Sequence, residues 1–322
     1  MRIQSILCFL AGCTSVTKDQ SPEEIESPTT LATRGFVNMG NTCYFNAMLQ
    51  MLIHAESVKD AYDSFIVPDD TTPLTLSESI HNEFALIVRR QWNVSAKFQH
   101  VAIRPARLFE LLKRFEPSLF TLGLQQDAHE ALMTLVTASE TSRDLSLSHL
   151  FRFELVSVMV CQNCERIPQP KLTTENQVMI PLENNDNIYS AGWGVDQRLV
   201  PEYLDGVRCE GCEDEPQFAV RVHAVSIYPK LLLVVVQRAD AFGAKIHTRI
   251  LLDSRVKFGT KSYKLIGVVH HHGNSVHSGH YTADFYHSED HTWYHADDQS
   301  VRKSHKITLV SRTAYILLYE LI

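Results

Sequence analysis

The stretch "GFVNMGNTCYFNAMLQMLIH", Gly35 to His54, joins a polar turn to an apolar run across a single cysteine. After Cys43 the apolar residues fall at Phe45, Met48, Leu49, Leu52 and Ile53. That spacing is the one-sided stripe of an amphipathic helix. Before it stand the turn formers Asn38, Gly40 and Asn41. Cys43 is therefore expected at a helix N-terminus. There the unpaired N–H groups and the helix dipole favour an anion and bias a cysteine towards thiolate. The same residues also fit a small buried hydrophobe opening a helix, because free cysteine is among the most buried residue types.

Upstream, "TKDQSPEEIESPTT" is polar, acidic and proline-bearing, as a flexible linker is. Residues 1–33 are expected to form an N-terminal extension, and the folded body to begin near Arg34. The first residues, "MRIQSILCFLAGC", resemble a secretory signal, even a lipoprotein signal ending at Cys13, but the apolar run is short and interrupted. Downstream, "RPARLFELLKRF" carries Leu108, Leu111, Leu112 and Phe115 at helical spacing. "LQQDAHEALMTLV" does the same with Ala128, Ala131, Leu132, Leu135 and Val136. From Phe151 the chain turns β-rich: "FRFELVSVMVC" alternates, and "KLLLVVVQR" is a buried-strand run. A helical first half followed by strands predicts an α+β protein.

The formal net charge of -7 disfavours a nucleic-acid binder, which would carry a basic excess. No apolar run reaches the ~18 residues of a membrane-spanning helix. Four of the seven cysteines form two C-x-x-C pairs, Cys161/Cys164 and Cys209/Cys212. Such pairs indicate metal in a reducing compartment more than disulfides. Together they supply a tetrahedral set of four thiolates for structural Zn²⁺ with no open coordination position, so this zinc would not be catalytic. Four unrelated thiols are the competing reading. The run His270–His272 is a rival metal site that also suits a cleft lining at a strand end.

A cysteine nucleophile needs a base, and the base needs an orienting group. The sequence "HSGHYTADFYHSEDHTWYHADDQSV" reads as a hairpin. A loop over His287–Asp290 sets His280 opposite Asp297, within reach for a His–Asp couple. Asp298 is the competing third member if the register slips by one, and an exposed hairpin with solvated side chains fits as well. For an oxyanion, the Cys43 backbone N–H stands at the helix start. Asn38 adds a side-chain amide, or simply forms the turn.

Taken together and in this order, these blocks resemble the ubiquitin-specific protease family of deubiquitinating enzymes. "GFVNMGNTCYFN" resembles its cysteine box, "LQQDAHEAL" its second box, and "HSGHYTADFY" with "WYHADDQSV" its histidine box. The C-x-x-C pairs sit where that family carries zinc-bearing fingers. The resemblance covers residues 34–322 and implies a papain-like cysteine protease fold. Its helical thumb would span about 34–150, zinc-bearing β fingers about 151–230, and a β-rich palm about 231–322. It further implies Cys43 as nucleophile, His280 as general base and acid, Asp297 as orienting group and Asn38 as oxyanion donor. Gln126, Asp127, Glu130, His277 and Tyr281 are implied to meet the tail of ubiquitin, although Asp127 also fits a helix cap.

The implied activity is hydrolysis of the isopeptide bond after the C-terminal glycine of ubiquitin, in the cytoplasm and/or nucleus. Export through the signal-like start is the competing expectation. Other functions that keep the fold are a catalytically silent ubiquitin-binding module and a protease for another ubiquitin-like modifier. A zinc-stabilised scaffold with a structural cysteine would also keep the motifs. Three positions depart from the family pattern by losing an apolar side chain: Ala131, Ala239 after Arg238, and Ala296. They put packing or pocket shape in doubt, and leave the catalytic groups intact.

Overall fold

The computed structural model describes residues 33–63, 73–93, 101–140, 147–213, 215–304 and 307–322. The expected extension over 1–33 lies outside them except for Thr33. A largely helical part runs from Cys43 to Phe151 and strands dominate thereafter, so the α+β expectation holds.

The cysteine helix, Cys43–Ile53, is buried along all eleven residues. The predicted stripe is there, but the opposite face is covered too. Asn46 and Gln50, which a one-sided helix would leave in water, are both buried. Their nitrogens are paired: Gln50 Nε2 donates to Arg34 O at 2.8 Å and Asn46 Nδ2 to Asp298 Oδ1 at 2.7 Å, while Asn46 Oδ1 and Gln50 Oε1 have no partner among the described residues. Those bonds offset part of the cost of burying the amides.

One side of this helix meets the helical part, including Leu108, Phe109, Leu132 and Leu135. The other meets the main sheet through Ile266, Val269, Tyr281 and Ala283. The approach is close at Gly267, where a Cβ would stand 2.5 Å from Met51 Cγ. In the helix Ala106–Phe115 the buried ring is Phe109, while Phe115 is 41% exposed, so that stripe is rotated from the sequence reading. The helix Ala128–Ala138 buries every apolar residue assigned to it.

The main sheet has eight strands. Its order runs Ser300–Ser304, Thr292–Asp297, His280–His287, Lys261–His272, Ala314–Leu321, Leu231–Gln237, Val178–Pro181, with Arg255–Phe258 also paired to Lys261–His272. The unbroken run Leu231–Val236 has a simple cause. Leu231, Leu233 and Val235 face the core that holds the cysteine helix, while Leu232, Val234 and Val236 face a second core behind the sheet. A strand buried on both faces has no reason to alternate.

A separate four-stranded sheet joins Lys171–Glu175, Phe153–Cys161, Pro216–Ile227 and Glu202–Arg208. Its strands lie within the expected finger segment 151–230, which also supplies a strand to the main sheet. Val178–Pro181 pairs in parallel with Leu231–Gln237 inside the main sheet. Of the three alanine departures, Ala131 and Ala296 are buried. Ala239 is instead an exposed residue on a cavity rim.

Candidate active site

Cys43 opens its helix directly after Thr42, and its side chain is buried. The turn before it is organised by Asn38. Its Oδ1 accepts from the backbone N–H groups of Gly40 (3.0 Å) and Thr42 (3.2 Å) and lies 3.3 Å from Thr42 Oγ1. The expected bias of Cys43 towards thiolate does not hold in the free protein. Burial pushes the thiol up, and the nearby Asp298 charge adds to this. Backbone hydrogen bonds from Tyr281, Tyr44 and Cys43 itself pull the other way without prevailing. Desolvation of the sulfur outweighs the helix-end field.

The histidine comes from the strand His280–His287, whose next residue, Tyr281, turns its backbone N–H to the Cys43 sulfur. The hairpin register differs from the sequence reading. The observed pairs are Ala283↔Ala296 and His287↔Thr292, so the loop lies over 288–291 and Asp297 is diagonal to His280. The couple forms nonetheless, with His280 Nε2 2.7 Å from Asp297 Oδ1. Moving the loop by one residue shifts both flanking strands together and leaves the two residues on one face of the sheet. A diagonal neighbour is within reach of an imidazole.

Asp298, whose carboxylate lies within 4.8 Å of the His280 imidazole and of Asp297, has its hydrogen bonds elsewhere. It sits at the turn with φ 50° and accepts from Asn38 Nδ2 (2.8 Å) and Asn46 Nδ2 (2.7 Å). From the end of the strand Thr292–Asp297 it braces the turn before Cys43. Asn46 was missed by the sequence reading; its signal was an amide, one of two with Gln50, in an otherwise apolar run. One amide hydrogen of Asn38 is used by Asp298, and the second remains for another acceptor.

Beside this group lies a cavity of about 390 Å³ lined by Gln125, Gln126, Asp127, Glu130, His271, His277 and Tyr281. The five residues expected to meet a substrate tail thus share one cavity. Asp127 is also a helix cap: Oδ1 accepts from the N–H of His129 (2.7 Å) and Glu130 (3.1 Å), and Oδ2 from Tyr315 OH (2.8 Å). Gln126 Nε2 donates to Ser118 O at 3.0 Å, whereas Glu130 and His277 are exposed. Its neighbour Gln125, which carried no sequence signal, makes two bonds to the Gly279 backbone. Nε2 donates to the carbonyl at 2.8 Å and Oε1 accepts the N–H at 2.9 Å. It ties the helical part to the residue before His280.

At the end of the four-stranded sheet, Cys161, Cys164, Cys209 and Cys212 converge, their sulfurs all within 4.8 Å of one another. Sγ separations of 3.8 Å (Cys161–Cys212) and 3.5 Å (Cys164–Cys209) match the ~3.8 Å edge of a tetrahedron with Zn–S of about 2.3 Å. The cluster can hold a metal ion. The rival run His270–His272 forms no metal-type group among the described residues. His270 Nε2 lies 3.0 Å from Asp284, His271 meets Lys245, and His272 lies 2.9 Å from the Thr282 hydroxyl.

Residues 34–319 match the family model described as ubiquitin carboxyl-terminal hydrolase. The chain belongs to that family. It is similar to ubiquitin carboxyl-terminal hydrolase 36 of Drosophila ananassae, 27% identical over 318 residues, covering 89% of this chain and 28% of the relative. The protein of the same description in Drosophila grimshawi is 27% identical over 320 residues, covering 89% and 25%. This hydrolase-family chain therefore spans about a quarter of the length of those relatives.

Its fold is that of a chain in the SAGA Ubp8/Sgf11/Sus1/Sgf73 DUB module bound to ubiquitin aldehyde. The TM-score is 0.73 at 20% identity, covering 90% of this chain and 69% of that one. A chain of the same module bound to monoubiquitin gives a TM-score of 0.75 at 18% identity, covering 93% and 73%. The expected α+β fold thus matches that of these module chains, with the four-cysteine cluster at the end of the separate sheet. No described helix is long and apolar enough to cross a membrane.

Proposed function

We propose that this chain is a thiol-dependent deubiquitinase that hydrolyses the isopeptide bond after the C-terminal glycine of ubiquitin. The observation that carries the reading is the convergence of three chain segments. Cys43 at its helix start receives the Tyr281 N–H, and the adjacent His280 is coupled to Asp297 at 2.7 Å. Family membership and the ubiquitin-bound modules of like fold support it.

In this mechanism His280 takes the Cys43 proton, and the sulfur attacks the glycine carbonyl. The Cys43 N–H and the second amide hydrogen of Asn38 meet the oxyanion, while Asp298 holds Asn38 in place. His280 then protonates the departing lysine amine, leaving a thioester at Cys43. His280 next activates water, and hydrolysis frees the thiol and the glycine carboxylate. Asp127 and Glu130 draw the arginine-bearing tail of ubiquitin into the cavity by charge-assisted hydrogen bonds. The four finger thiolates hold a structural zinc that supplies folding energy and no chemistry. A reducing setting, cytoplasmic or nuclear, belongs to the same proposal, and the unpaired finger thiols support it.

The test is reaction of the full chain with an electrophile built on the ubiquitin C-terminus, followed by mapping of the adduct. The expected result is one adduct at Cys43 and loss of ubiquitin–fluorophore turnover in Cys43→Ala. Turnover retained in Cys43→Ala, or an adduct on a finger cysteine, would overturn the assignment. Parallel probes built on other ubiquitin-like modifiers decide the substrate class.

A further inference from the structure

Two buried cations, Arg238 and Lys245, form no ion pair with a carboxylate among the described residues. Arg238 is 4% exposed; its Nε donates to the carbonyl of Ala314 and its Nη1 to those of Ile246 and Thr248, while Nη2 has no partner among the described residues. Lys245 is 8% exposed, and the charge that acts on it is repulsive, from Arg238. Burial, with that repulsion, drives its ammonium down to about 8. An arrangement this unfavourable to folding persists where it holds something in place.

What Lys245 holds is specific. Its Nζ lies 3.0 Å from His271 O, 2.8 Å from Gly273 O and 3.2 Å from His271 Nδ1. Three acceptors match the three N–H donors of an ammonium. The bond to Nδ1 leaves His271 neutral with its proton on Nε2, and burial with the Lys245 charge lowers this imidazole to about 4. Gly273 and Gly279 form the neck of the loop that leads into His280. A Cβ on Gly273 (φ +110°) would stand 3.1 Å from Gly279 Cα, and one on Gly279 would stand 2.0 Å from His272 O. Gln125 grips the Gly279 side of that neck, and Lys245 grips the Gly273 side. A second arm runs through rings: His271 stacks on Tyr281 with centroids 4.5 Å apart, and the Tyr281 N–H meets Cys43.

We infer that Lys245 is a positioning residue for the thiol site. It fixes the neck of the 273–279 loop and the His271–Tyr281 stack, and through them the placement of His280 and of the N–H on Cys43. It touches neither substrate nor sulfur. The inference rests on the proposed thiol chemistry of Cys43.

The test compares Lys245→Met, which keeps length and apolar stem, with Lys245→Arg, which keeps charge and donors. Misplacing a reacting pair by about 1 Å costs on the order of a hundredfold. For Lys245→Met the expected fall in kcat is about tenfold or more, with KM for ubiquitin–fluorophore within roughly threefold. The rate–pH curve for alkylation of Cys43 by iodoacetamide, with the adduct mapped to Cys43, is expected to move to higher pH as the Tyr281 N–H loosens. Lys245→Arg is expected to restore both towards wild type. Should Lys245→Met fail to fold, Lys245→Gln, which gives up the charge and one N–H donor, is expected to show the same two changes to a smaller degree, and finding neither change in it would overturn the inference.

An unchanged kcat and an unchanged alkylation curve in the Met variant would overturn the inference. So would a lowered melting temperature with the Cys43 curve unmoved, because a purely structural lysine acts that way. Alkylation needs no ubiquitin, so the comparison stands even if ubiquitin proves not to be the substrate.

Discussion

Exchanging Asp298 for Asn is expected to do more harm than the same exchange at Asp297. The Asp298 carboxylate receives two side-chain amides, Asn38 Nδ2 at 2.8 Å and Asn46 Nδ2 at 2.7 Å. Asn tolerates the local φ of 50°, so backbone strain is not introduced. The new amide keeps one acceptor and points a donor at a donor where the other stood. Losing one charge-assisted bond beside a buried amide costs about 2–3 kcal/mol. For a chain of this size each kcal/mol moves the melting temperature by roughly 2–4 °C, which gives a fall of about 4–12 °C.

Asn38 is then free to turn from the thiol, and loss of an oxyanion donor costs on the order of a hundredfold in kcat. At Asp297 the arithmetic is milder. The His280–Asp297 pair is short, but the two side chains are 43% and 51% exposed, so water takes the place of the lost carboxylate. A fall of about tenfold in kcat with a melting shift of roughly 2 °C or less is expected there. Thermal unfolding and ubiquitin–fluorophore kinetics on the same preparations make the comparison. An Asp298→Asn protein within threefold of wild type and unshifted in melting, or a worse Asp297→Asn, would refute the bracing role.

Asp127→Asn keeps the cap acceptor on Oδ1 but loses the charge, so melting is expected within about 2 °C of wild type while kcat/KM for ubiquitin–fluorophore drops roughly tenfold; unchanged kinetics would reduce Asp127 to a cap. Cys161→Ser or Cys212→Ser is expected to lower solubility and melting temperature, with less than one zinc per chain by elemental analysis; wild type purified without zinc, and unaffected by a chelator, would remove the metal from the account. Although burial works against its charge, Asp284 is held below the usual carboxylate range by hydrogen bonds from His270 and His295. A depressed carboxyl stabilises the fold above its unfolded value and loses that contribution as pH falls. Asp284→Asn is therefore expected to cost about 3 kcal/mol in urea unfolding at pH 7, a gap that narrows below about pH 4; a gap independent of pH would contradict the assignment.

What the sequence determined by itself was whatever is local or repeated along the chain. The turn–cysteine–helix junction, the capped helix Ala128–Ala138 and the two C-x-x-C pairs need only near neighbours to be legible. The run Leu231–Val236 announced a strand buried on both faces because it is short for a helix and half of it is β-branched valine. The order of the motif blocks carried the family. The face shared by His280 and Asp297 survived a misplaced loop because a strand's two-residue period protects parity where it does not protect register.

Tertiary structure decided what depends on groups far apart in sequence. Burial of all sides of the cysteine helix turned Asn46 and Gln50 from expected surface residues into buried anchors, and raised the Cys43 thiol against the helix-end field. The division of labour between two adjacent aspartates, one on His280 and one on Asn38 and Asn46, follows from the turn at Asp298, which gives neighbouring carboxylates within 4.8 Å of each other different partners. Gln125 on Gly279 and Lys245 on Gly273 pair side chains with backbone atoms 154 and 28 residues away. A backbone carbonyl is the same in every residue, so no sequence pattern marks it as a partner. Only the folded chain brings it within reach.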